Sequence, residues 1–305
     1  MPEASSDKPE LTLKFMWRLL RETFLEWLDD KAPRLGAALA FYSVLSIGPL
    51  LLIVVSVAGL AFGEDSVRLQ LVGEIRNLIG DTGAQAIETI MTSSKDRDAG
   101  IVATVIGFAT LIISATGFFA QLQDALNAIW NVESKENDHW TWFLKKRVLS
   151  FALIVGIGFL LLISLVISAA LAAFSGMFAD VLPAFVLYLL NLVISFAVTT
   201  FLFAMTFKML PDAHIEWRDV WVGAVITALL FSVGKLLIGI YLGQSALSST
   251  YGAAGSLMVV LVWIYYSTQI FFFGAEFTQV YSRYFGSQIT IKYRRKKKIP
   301  KTPEM

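Results

Sequence analysis

The sequence predicts an all-α, polytopic membrane protein: six transmembrane helices, an N-terminal interfacial helix and a small helical periplasmic excursion. Three observations lead there. Of 305 residues, 56% are hydrophobic and only 16% charged, with a mean hydropathy of +0.65. A water-soluble domain of this length cannot hide so much apolar surface, whereas a lipid-facing bundle need not. The apolar residues are gathered into runs of roughly 20 or more, which at ~1.5 Å per residue cross a ~30 Å hydrocarbon core. The basic residues are segregated to one side of those runs, as the positive-inside rule describes.

Residues 1–34 read as a cytoplasmic segment. Residues 1–10 are polar and expected to be unstructured. Within residues 11–30, Leu13, Trp17, Leu20, Phe24 and Trp27 recur at helical spacing, with Lys14, Arg18, Arg21 and Glu22 elsewhere on the wheel. This pattern fits a helix lying on the inner membrane surface, or equally one packed on cytosolic parts of the chain. The polar start, and the length of the apolar run that follows, do not fit a cleavable signal peptide.

The membrane domain is read as residues 35–276, with spans at 35–62, 100–121, 148–174, 181–207, 220–242 and 252–275. The first is longer than a perpendicular crossing needs, so tilt or a kink is expected. Pro49 supplies a cause, since it lacks the backbone donor a helix uses. Gly36 and Ala40 give a small-xxx-small face for close helix contact. Residues 63–99 are polar, and the spacing of Val67, Leu71, Ile75 and Leu78, then of Ala84, Ile87 and Met91, predicts two short amphipathic helices broken at Gly80–Gly83. Ser114, Gly117, Gln121, Asp124 and Asn131 form a polar stripe at the cytosolic end of the second span, where Trp130 is placed at the membrane interface. Residues 133–147 form a charged loop, residues 175–180 and 243–251 short turns, and residues 208–219 a polar connection. Residues 277–305 are a basic tail.

Six spans put both termini on one side. Six basic residues precede residue 35 and eight follow residue 280, while the opposite face carries only Arg68, Arg76, Lys95 and Arg97. Both termini are therefore expected in the cytoplasm. The tail run 294–298 reads as an anchor for anionic lipid headgroups. With a net charge of +1 and no cysteine, no nucleic-acid partner, disulfide or thiolate metal site is expected. Homo-oligomer formation is left open.

Several separated motifs resemble the YihY/BrkB family of inner-membrane proteins. They are Ala37-Ala38-Leu39-Ala40-Phe41-Tyr42-Ser43-Val44-Leu45-Ser46 followed by Pro49-Leu50-Leu51; Leu126-Asn127-Ala128-Ile129-Trp130; Leu210-Pro211-Asp212; Trp217-Arg218-Asp219-Val220 with Gly223-Ala224; Tyr251-Gly252-Ala253; Trp263-Ile264-Tyr265; and Gly274-Ala275-Glu276. The resemblance covers residues 32–284. It implies a bacterial inner-membrane protein with six spans. The family's association with envelope lipids makes transport an expectation, and its former label, ribonuclease BN, makes RNA cleavage a rival one.

The residues themselves offer little for catalysis. Only His139 and His214 are present, without the clustered ligands that metal-dependent hydrolysis uses. No phosphate-binding loop appears, so ATP-driven transport by this chain alone is not expected; no cofactor is assigned. The charges embedded in apolar runs are the stronger signal, because such charge is costly. Lys235 lies inside the fifth run, as an anion-binding group facing a cavity or as a side chain snorkelling to the outer surface. Asp124 and Glu276 are placed near the cytosolic ends of their spans. With Gln121, Asn127 and Gln269 they are candidates for a polar vestibule, or else are paired with Lys145, Lys208 or Arg218. Pro49, Gly36 and Tyr42 are assigned structural roles. The expected function is non-ATPase transport of a lipid or other amphipathic envelope molecule; a ribonuclease and a non-transporting scaffold are the alternatives.

Overall fold

The computed structural model describes residues 12–95, 101–132, 184–244, 254–285 and 290–291. Seven helices account for nearly all of them: α1 (Leu13–Asp29), α2 (Ala32–Phe62), α3 (Glu64–Lys95), α4 (Ile101–Ile129), α5 (Ala184–Met209), α6 (Trp217–Gln244) and α7 (Gly255–Phe285). The exception is a two-residue antiparallel pairing, β1 (Ala213–His214) with β2 (Thr290–Ile291). The expected third span, the loop at 133–147, the turn at 175–180, residues 245–251 of the second turn, most of the tail and the first ten residues lie outside the described residues; Gly243 and Gln244 of the second turn belong to α6.

Among the described residues, three helical stretches are long and apolar enough to cross a membrane: Leu192–Met209, Trp217–Leu242 and Gly255–Phe285. Two stacked cores hold the bundle together. One gathers Ala32 and Leu39 of α2, Leu122 to Ile129 of α4, Ala204 and Phe207 of α5, Val220 and Ala224 of α6, and Phe272 and Ala275 of α7. The other gathers Leu51 and Val55 of α2, both ends of α3, Ile238 and Leu242 of α6, and Val259 and Val260 of α7. The order of these residues fixes direction. α2 and α6 start at the first core and end at the second; α7 runs the opposite way, and α4 and α5 both finish at the first core.

The sharp joints have local causes. α2 turns into α3 through Gly63 at φ 83°, a conformation that costs glycine nothing and other residues ~1 kcal/mol or more. α4 ends on Asn131 at φ 52°, with Asn131 N–H donating to Ala128 O at 2.9 Å and Val132 N–H to Asn127 O at 2.8 Å. That pair of bonds is a Schellman stop, and asparagine tolerates its left-handed position.

Four expectations change. The excursion is one continuous 32-residue helix through Gly80 and Gly83; Ala84, Ile87 and Met91 pack into the second core beside Val67 and Val72, and tertiary burial outweighs weak glycine propensity. The last helix does not stop near residue 275 but continues to Phe285, so Glu276 is mid-helix rather than terminal. Trp130 is 2% exposed, a core residue and not an interface marker. The 208–219 connection is not a solvated loop: Leu210, Ala213 and Ile215 are buried in the first core.

α1 does not stand apart from the bundle. Phe15 and Leu19 pack against Phe277 and Val280, and Phe15 meets Tyr284 and Phe285 edge-on at 5.3 Å. Arg283 reaches Glu26 at 2.8 Å and Glu22 at 3.2 Å. α1 therefore lies along the C-terminal third of α7. Its sequence stripe of Leu13, Trp17, Leu20 and Phe24 stays exposed.

Candidate functional site

α7 carries an unusual row of buried polar side chains. Thr268, Glu276, Thr278, Gln279 and Ser282 are all buried, and Gln269, half-buried at the middle of the helix, follows Thr268. The threonines are satisfied within the helix, Thr268 donating to Ile264 O and Thr278 to Gly274 O. Ser282 donates to the Asp219 carboxylate at 2.9 Å, and Asp219, in the first turn of α6, is also favoured by the positive end of that helix. Gln269 Nε2 and Oε1, Gln279 Oε1 and Glu276 Oε1 have no hydrogen-bond partner among the described residues. An unsatisfied buried polar atom costs about 1–3 kcal/mol, so a helix retaining several invites a functional reading.

Glu276, 1% exposed, has Asp30 as its partner. The two carboxyls are within hydrogen-bonding reach, while Asp30 Oδ2 and Glu276 Oε1 stay bare. Two carboxyls bond to each other only through a shared proton. Burial raises the Asp30 carboxyl above the ordinary carboxylate range. The hydrogen bond with Glu276 pulls it back, and the charges of Glu26 and Asp29 raise it further. The Lys31 residue that follows adopts φ 56°, so the chain reverses there from α1 into α2 and delivers Asp30 to α7.

Beside this row lies an open apolar groove of about 280 Å³, walled by Phe24 and Trp27 of α1, Leu230, Val233 and Leu237 of α6, and Tyr266, Gln269 and Phe273 of α7. Gly234 also lines it and brings α6 close to Ile270 and Tyr266. On the other side of Gln269 is Gly36: a β-carbon there would collide with the Gln269 amide. Gln269 thus lies between the groove and α2, two helical turns from Glu276 on the same face.

The other sequence candidates divide. Asn127 does not join Glu276. It donates to the Asp212 carboxylate at 3.0 Å and accepts from the Asp212 backbone N–H at 2.8 Å, and Gln123 donates to the same carboxylate at 3.3 Å. Asp124 is exposed and Gln121 half-buried; Asp124 faces out of the bundle while Glu276 is sealed within it, so the structure does not unite them in one vestibule. Lys208 is not the partner of either carboxylate: it donates to Ile215 O and stands 5.5 Å from the centre of the Trp217 ring. Lys235 is half-buried on α6 and engages other groups. It lies one residue from Gly234, hence near Tyr266 and Ile270 in depth, with Glu276 about 10–15 Å further along α7 at ~1.5 Å per residue. Tyr42 lays its ring over Gly117, where an added β-carbon would fall 2.5 Å from Cε1. α2 passes through Pro49 without interruption.

Asp30 and Gln123 were not legible as site residues. Asp30 lies among other charges before the first apolar run, and nothing in sequence marks it as buried. The Gly-xxx-Thr spacing of Gly223 with Thr227 and of Gly274 with Thr278 was a usable signal for the α6–α7 contact.

A family model described as Virulence factor BrkB matches residues 23–299. The chain belongs to the BrkB family. Curated relatives of the chain carry the name UPF0761 membrane protein. The one from Ralstonia nicotianae is 26% identical over 253 residues, covering 81% of this chain and 55% of the relative. The one from Verminephrobacter eiseniae is 28% identical over 272 residues, covering 87% and 62%, and the one from Tolumonas auensis 27% over 278 residues, covering 87% and 83%. The chain thus spans less than two thirds of the length of the first two. No solved structure matches. The chain is a membrane protein, in keeping with its apolar helices and with the names of its relatives.

Proposed function

We propose that this BrkB-family chain is a six-span inner-membrane protein, with both termini cytoplasmic, that moves a lipid or similar amphipathic molecule across or within the bilayer without hydrolysing ATP. The observation that carries the reading is the groove beside α7: apolar walls for a hydrocarbon chain, adjoining the bare Gln269 amide and, two turns on, the Glu276–Asp30 pair. An acyl chain fits the walls, and a polar head needs donors and acceptors that the bundle leaves unused.

Direction supports the span count. α4 and α5 both end at the first core, which favours one further crossing between them, and the sequence offers the apolar run 148–174 for it. With α2, α4, α5, α6 and α7 that makes six. The distribution of Lys and Arg then favours cytoplasmic termini. Reporter fusions after Lys8, Asn137 and Lys301 should read cytoplasmic and one after Ser93 periplasmic; a periplasmic tail would reverse the orientation.

Activity is tested with purified protein in liposomes carrying a fluorescent phospholipid. Transfer between leaflets without nucleotide, above that of protein-free liposomes, is the expected result. Protein-independent transfer, or metal-dependent cleavage of added RNA in its place, would overturn the proposal.

A further inference from the structure

Among the described residues, α1 buries one face against α7 and lends Phe24 and Trp27 to the groove. Phe15, Leu19 and Thr23 are buried against α7. The acidic residues Glu22 and Glu26 turn to the same side. Glu22 accepts from Tyr284 at 2.8 Å and pairs with Arg283, and Glu26 accepts from Arg283 at 2.8 Å. What remains outward is a strip of large apolar side chains, with Leu13 87%, Trp17 71% and Phe24 49% exposed, and beside it Lys14, Arg18 and Arg21, all exposed. Asp29 at the far end is the one exposed acid of the helix.

This arrangement is the opposite of what a water-facing helix needs. Large exposed apolar strips on a folded chain mark an interaction surface. Here Glu22 and Glu26 are drawn inward onto Arg283 and Tyr284 while Lys14, Arg18 and Arg21 stay exposed, so the outward surface is both apolar and cationic. That combination matches a bilayer surface containing anionic phospholipid: apolar side chains enter the acyl boundary and basic ones meet the phosphates. A second copy of this chain would present the same positive charge and repel it.

We propose that the outward face of α1 is a docking surface for an anionic leaflet, with Trp17 and Phe24 inserted and Lys14, Arg18 and Arg21 on the lipid phosphates. The proposal does not rest on transport: Phe24 also borders the groove, but Leu13, Trp17 and the three basic residues are not among those that line it.

The chain has no cysteine, so one introduced by Leu20→Cys carries a nitroxide at a single known place. The full chain is reconstituted in nanodiscs of phosphatidylcholine alone or mixed with phosphatidylglycerol. Collisions of the label with oxygen and with a water-soluble nickel chelate are then measured. Docking predicts more oxygen and less nickel access in the anionic discs. Arg18→Gln should weaken that preference about fivefold, and Lys14→Gln with Arg18→Gln and Arg21→Gln should abolish it. A label equally open to nickel in both lipids would overturn the proposal. So would lipid immersion that survives the triple replacement. So would nickel protection that persists in detergent with dipolar coupling between labels, which would assign the face to a second copy.

Discussion

Thr278 of α7 fills the space that a side chain on Gly223 of α6 would need, and Thr227 of α6 does the same opposite Gly274 of α7. The two contacts are reciprocal, because the helices run antiparallel and each carries glycine and threonine four residues apart. Each threonine hydroxyl donates to the carbonyl of the glycine four residues earlier in its own helix, at 2.7 Å. No hydroxyl is stranded, and the backbones close to near contact.

Enlarging either glycine therefore pries α6 from α7. Gly223→Leu and Gly274→Leu should each lower stability by about 1–3 kcal/mol or more. Gly274→Ala should be partly rescued by Thr227→Ala, which removes the atoms it strikes. Thermal unfolding of the detergent-purified protein reads both; equal stability of Gly274→Leu and the parent would mean the helices are not held at this distance.

Asn127 ties the end of α4 to the connection before α6 through its two bonds to Asp212. Asn127→Leu keeps bulk but removes both, and should cost about 1–3 kcal/mol because a half-buried carboxylate and amide lose partners. Hydrogen exchange of the Asp212 amide should quicken in step. Unchanged exchange would show that the brace adds nothing.

The contrast between these sites explains what the sequence made legible. Apolar run length located α2, α4, α5, α6 and α7 within a few residues at most ends, since membrane thickness sets it. The extension of α7 past Glu276 was hidden, because its partner, α1, is 257 residues away at the Glu26–Arg283 contact. α3 was read as broken because two glycines lower propensity, whereas long-range packing decided the outcome. Among the candidate residues, depth along a helix could be counted, so Lys235 was kept apart from Glu276. Which face Asp124 turned outward, and that Asn127 met Asp212, depended on how helices pack, which periodicity does not encode.

The Asp30 carboxyl gives a pH dependence with a definite sign. Its folded pKa lies above the ordinary 3.8, so the folded state binds the proton more tightly than the unfolded chain. That stabilisation is full below about 3.8 and is lost as pH rises through the folded value. The α1–α7 contact should therefore loosen with rising pH, and Asp30→Asn should flatten the profile. Protease cleavage between α1 and α2, followed against pH, checks this; protection that grows with pH would reverse the sign.

Lys235 and Glu276 are expected to act separately. Lys235→Met keeps the apolar stem and should fold while losing transport, and Lys235→Arg should retain part of it. Glu276→Gln should add its own loss without rescue, since the two lie at different depths. Full recovery in the double variant would mean that the charges meet.

The proposed transport places an amphipathic molecule in the groove between α1, α6 and α7. Val233 lines it from an exposed position, 57% open, so Val233→Trp fills the groove without disturbing either core. Transfer of fluorescent phospholipid between leaflets of liposomes, at matched amounts of folded protein, is the measurement. Wild-type stability with transfer reduced at least tenfold is expected, the effect of about 1.4 kcal/mol on the rate-limiting step. Wild-type transfer by Val233→Trp would contradict it.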